Sequence, residues 1–169
     1  MKEVRQLFIQ QADKKLRLYL FPLFMIVFAL ASTPVVAQDA ENGEGETFEA
    51  NSIEVFLGAT FDDGDSEASY GISYERRLNE SIGIGGLVEY TNGREWVYLV
   101  PFTIHITEPW KVMLAGGVEH EEGENLFLSR IGTAYEFKFD GWSLAPEINA
   151  DFVDGEVKTV LGVSFGFEF

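Results

Sequence analysis

The sequence predicts an all-β fold: eight antiparallel strands joined up-and-down as a meander and closed into a barrel. From Ser52 onward, segments of about ten residues alternate between two faces with a period of two. None shows a helical period. Turn chemistry separates the segments at regular intervals. The closing stretch, Lys158–Phe169, shows the pattern most sharply. Thr159, Leu161, Val163, Phe165, Phe167 and Phe169 share one face, and Lys158, Val160, Gly162, Ser164, Gly166 and Glu168 share the other.

The chain has 169 residues, which suits one domain, and no cysteine, which excludes disulfides and thiolate metal sites. Its net charge of −16 argues against nucleic acid and against adhesion to anionic lipid. Residues 1–37 read as an export signal. Lys14, Lys15 and Arg17 precede an apolar run from Leu18 to Ala31, and Val35-Val36-Ala37 fits a small-residue cleavage site. That run, interrupted by Pro22, is shorter than the ~20 residues that cross a bilayer as a helix. Residues 38–51 form an acidic stretch with little to bury, expected to be a disordered periplasmic tail.

The barrel is assigned to residues 52–169. Its strands are expected at 52–61, 68–77, 82–90, 96–106, 110–119, 126–139, 142–152 and 157–169. Each is long enough to cross a membrane as a tilted strand of ~9–11 residues. The connections Leu78–Ser81, Thr107–Pro109 and Asp140–Gly141 read as tight turns. Asp62–Glu67, Thr91–Glu95, His120–Asn125 and Val153–Glu156 read as longer loops alternating with them.

Size decides which face points outward. Of eighteen aromatic residues after position 50, only Phe56 falls on the glycine-rich face. An eight-stranded barrel has an interior just wide enough for ordinary side chains. Seventeen rings cannot fit there, so they face outward, and outward is lipid. Trp96, Trp110, Trp142, Tyr74, Tyr90, Phe139 and Phe169 fall near strand ends, as interfacial girdles require.

The opposite face carries the charge. Glu54, Glu75, Glu89, Glu119, Glu136, Glu147, Asp151 and Glu168 are expected in the lumen with Arg77, His105, Lys111, Arg130, Lys138 and Lys158. Buried charges must be paired or hydrated, so an ion-pair network is expected to thread and plug the barrel.

Taken with the signal, strand count, loop pattern and terminal Phe169, residues 52–169 resemble the small eight-stranded outer-membrane barrels of the OmpX and OmpA-transmembrane-domain kind. The resemblance implies a cell outer-membrane location and a monomer embedded in outer-membrane lipid and lipopolysaccharide. It also implies that Phe165, Phe167 and Phe169 serve as the signal read by the outer-membrane assembly machinery. The surface loops are expected to be shorter than in those proteins, and no peptidoglycan-binding domain is expected after the barrel.

The expected role is non-enzymatic, in envelope structure or surface properties, with no cofactor. A narrow ion or small-solute channel and a lipid-modifying enzyme are the alternatives. For the enzyme, Thr103, His105 and Thr107 share one face of strand four, and Glu119 could orient the histidine. No motif supports Thr107 as a nucleophile, however, and His105 reads as one member of the lumenal network. Asp62, Asp63, Asp65 and Glu67 resemble a calcium loop but fail the EF-hand pattern, with Ala68 and Tyr74 at its sixth and twelfth positions. Beside lipopolysaccharide phosphates, such acids are expected to bind divalent cations weakly.

Overall fold

A strand cannot satisfy its own backbone, so in lipid the only stable sheet is one that closes on itself. The computed structural model describes residues 50–92, 95–121 and 123–169. The expected export signal, and all but the last two residues of the expected tail, lie outside the described residues.

The strands are β1 (Asn51–Asp62), β2 (Asp65–Asn79), β3 (Ile82–Thr91), β4 (Glu95–His105), β5 (Trp110–Glu121), β6 (Glu124–Tyr135), β7 (Phe137–Phe139), β8 (Trp142–Val153) and β9 (Glu156–Glu168). Every pairing is antiparallel between successive strands, with β6 and β7 both pairing to β8 as two pieces of one stave. Pairing of β1 with β9, from Ser52↔Glu168 to Phe61↔Thr159, closes an eight-stave barrel.

The alternation lands as expected. Leu57, Tyr70, Tyr98, Leu114, Phe127, Ile148 and Phe167 are exposed on the outer wall, whereas Leu128, Glu89, Glu119, Val160 and Ser69 are buried inside. Phe56, the one inward ring, is buried against the backbone of Gly58 and Gly162, where a Cβ would strike it. Near strand ends, Trp96 lies between Tyr90 and Tyr98, at ring distances of 4.9 and 6.3 Å. Phe139 stacks on Trp142 at 4.2 Å.

Three local features differ from expectation. First, the connections expected to be long are short. Asp63-Gly64 and Asp154-Gly155 are two-residue turns with both φ values positive, the geometry that matches strand twist. Asp62 and Asp65, expected in a loop, pair with one another as ladder partners. At the opposite end, residues 106–109 make a longer connection than either of these turns, so the expected contrast in loop length is lost.

Second, the expected strand 126–139 breaks at Glu136, opposite Ala145-Pro146, and the β3–β4 ladder skips the pairs facing Val100-Pro101. Proline has no N–H to give a ladder. Third, Leu78 forms a bulge between Arg77 and Asn79.

Candidate functional site

The inward side chains form three groups along the lumen. Nearest the Asn51–Phe169 contact, Lys111 Nζ bridges Glu54 and Glu136, the latter at 3.8 Å. Arg77 donates to Glu168 at 3.2 Å and lies 3.8 Å from Glu75, while Lys138 reaches the other Glu168 oxygen at 3.2 Å. His105 Nε2 is hydrogen-bonded to Glu75 at 2.7 Å. Their strands β1, β2, β4, β5, β7 and β9 bring these groups together because inward parity at the same barrel end points them at one another.

Deeper in, Arg130 grips Asp151 through Nε and Nη2, at 2.5 and 2.6 Å, and Glu89 through Nη1 at 2.7 Å. Toward the far end, Lys158 donates to Glu119 at 3.0 Å and to Glu95 at 3.1 Å. Around these pairs Val97, Leu99, Leu128 and Val153 pack into an apolar cluster, with Leu87, Ala115 and Leu126 against it.

All fourteen residues expected in the lumenal network, Glu147 included, lie on inward strand positions or, for Glu136, at the break continuing one. Thirteen of them make the contacts just described. Among the described residues Glu147 makes no ion pair and instead lines a cavity of about 50 Å³ with Glu54, Lys111, Phe56, Met113 and Asn149. The inward carboxylates Glu54, Glu75, Glu89, Glu95, Glu119, Glu136, Glu147, Asp151 and Glu168 outnumber the cations Arg77, Lys111, Arg130, Lys138 and Lys158. Each of Lys111, Arg130 and Lys158 is therefore shared between two acids.

Sequence reasoning placed Glu95 in a loop and so missed it, although its parity with Val97 and Leu99 marks it as inward. It also missed a hydroxyl chain across β1, β2 and β3: Thr60 Oγ1 to Ser69 Oγ at 2.7 Å, and Ser69 Oγ to Thr91 Oγ1 at 3.3 Å. Hydroxyls at inward positions were its only signal.

The chemistry weighed from sequence is assembled only in part: Glu75, not Glu119, is the carboxylate beside His105, and Thr103 hydrogen-bonds to Glu75 as well. His105 meets Glu75, while Glu119 sits with Lys158 toward the other end, so the carboxylate considered as its orienting partner lies elsewhere. Asp62, Asp63, Asp65 and Glu67 do not converge. Among the described residues, the one acidic trio with oxygens within 4.8 Å of each other is Glu95, Glu119 and Glu121. There the Lys158 ammonium already stands between two of the three, as a built-in cation.

A closed eight-stave sheet with an apolar outer wall and a charged, packed lumen defines a transmembrane-type β-barrel. No protein-family model matches the chain, and no curated protein does. Solved structures do match. The N-terminal β-barrel domain of Pseudomonas aeruginosa OprF superposes with a TM-score of 0.58 at 14% identity, over 72% of this chain and 98% of that one. A structure described as de novo design of transmembrane β-barrels gives 0.51 at 10% identity, over 72% and 98%. The solution structure of the designed barrel TMB2.3 gives 0.50 at 12% identity, over 73% and 98%. The fold is that of the small eight-stranded outer-membrane barrels.

Proposed function

We propose that this protein is a non-enzymatic integral outer-membrane barrel with a plugged lumen, contributing to envelope structure or surface properties. The observation that carries the reading is the filling of the lumen. The Arg130–Glu89–Asp151 triad and the Val97, Leu99, Leu128, Val153 cluster occupy the lumen with buried side chains, which supports a plug over a channel. Outward, the described wall offers mainly apolar and aromatic side chains to lipid. His105 supports the non-enzymatic side of the proposal. Its ring is 6% exposed inside the lumen, where no acyl chain in the bilayer would reach it.

In this reading the chain is a monomer, since closure leaves no strand edge for a partner. Its surroundings are outer-membrane lipid and lipopolysaccharide, and the C-terminal strand with Phe165, Phe167 and Phe169 addresses the assembly machinery.

Two measurements test it. The protein should fractionate with outer membranes and migrate differently in SDS before and after heating, because a closed barrel keeps its backbone hydrogen bonds internal. Reconstituted into planar bilayers it should show no stepwise conductance. Recovery of a soluble species would remove the membrane reading, and reproducible conductance steps would favour the channel.

A further inference from the structure

Lys111, Arg130 and Lys158 are each engaged by two carboxylates, and among the described residues Glu147 is the inward acid that forms no direct ion pair, although Lys111 and Arg130 act on it at longer range. It faces the cavity between the first and second charged groups. Beside it Asn149, 2% exposed, lines the same cavity, and its Nδ2 has no hydrogen-bond partner. An unpaired carboxylate and an unmatched donor at one void are each costly to bury. The cavity, at about 50 Å³, has room for about three or four water-sized occupants.

We propose that this cavity is a binding site for a small hydrated monovalent cation of the alkali class. The cation takes an oxygen of Glu147. A water on the cation accepts from Asn149 Nδ2, so one occupant answers both unmet groups. A divalent ion is disfavoured because it needs several carboxylate or carbonyl oxygens in place, and Glu54, the other acid beside Lys111 in this cavity, is already engaged by it. Access is from the end bearing Asn51 and Phe169, where Lys138 is 36% exposed and Glu168 20%. The far end is closed by Leu128 and Val153. This inference does not require the lumen to be non-conducting.

The test uses the membrane-extracted protein, unfolded by heat in sodium, potassium or N-methylglucamine chloride at equal ionic strength. Sodium or potassium at about ten times the dissociation constant should raise the midpoint by about 3–6 °C over the bulky cation. The Glu147→Gln variant should show no such difference, while Glu124→Gln/Glu156→Gln at the far-end hairpins should keep it. Equal midpoints in all three salts, or a sodium effect that persists in Glu147→Gln, would overturn the proposal. Should Glu147→Gln fail to fold, wild-type crystals soaked in rubidium decide. An anomalous peak beside Glu147 supports the site, and rubidium only at surface acids refutes it.

Discussion

Arg130 and Asp151 are register partners across the β6–β8 seam, and their side chains meet as a two-pronged pair at 2.5 and 2.6 Å. The remaining guanidinium nitrogen reaches across the lumen to Glu89 on β3. One side chain thus ties adjacent staves together and links them to a third.

Removing one member of such a buried set leaves uncompensated charge. Arg130→Met should cost about 3–5 kcal/mol in chemical unfolding. Replacing the whole set, as Arg130→Met/Asp151→Leu/Glu89→Leu, should restore most of that loss. A triple variant no better than the single one would mean that the set is worth more than its burial costs.

Lys158 makes a different prediction. Without it, Glu95 and Glu119 face each other with Glu121 close by. Lys158→Ala should lower stability, and millimolar Ca²⁺ should recover part of the loss by replacing the ammonium. The wild type should gain little from Ca²⁺ in the same assay. Identical calcium responses in the two proteins would count against Lys158 as the resident cation.

Depth along a stave can be read by arginine. Leu57 lies mid-strand on the outer wall of β1, and Phe61 near its end. Leu57→Arg should cost about 2–4 kcal/mol in lipid vesicles and Phe61→Arg about 0–1. Equal costs would contradict β1 crossing the hydrocarbon.

At the C-terminus, Phe169 exchanges backbone hydrogen bonds with Asn51 at 2.9 and 3.1 Å, and its ring is exposed. Phe169→Ala keeps the backbone pair and gives up one interfacial ring, about 1–3 kcal/mol. Refolding into detergent should survive this, whereas membrane levels in cells should fall sharply if the ring is a recognition signal. Wild-type levels in cells would show that it is not.

The strands and their faces were legible in the sequence because parity is a local property. Turn lengths were not. Acidic residues at Asp62, Asp65 and Glu67 look like loop, yet two Asp-Gly pairs suit a two-residue turn and let the ladder run up to them. The break at Glu136 was hidden because Tyr135, Glu136 and Phe137 keep alternating through it. Pro146, on the facing strand, was the available clue. Membership of the lumenal set followed from parity, but partner choice did not. Lys111 and Glu54 are separated by 57 positions, and they meet only through strand stagger and barrel curvature.

The β1–β9 seam is unlike the others in what it asks of the chain. The Asn51–Phe169 contact spans 118 positions, while Thr60 and Ser69 across a hairpin are 9 apart. Loop-closure entropy grows with the logarithm of length, so joining the ends costs roughly 2 kcal/mol more than zipping that hairpin. Seven seams between sequence neighbours can form locally, and the eighth must wait for both ends. Until it forms, β1 and β9 each carry an unsatisfied edge that lipid will not tolerate. Changes at either end of the barrel therefore act chiefly on how fast it shuts, and on how long the open sheet is at risk of pairing with another chain.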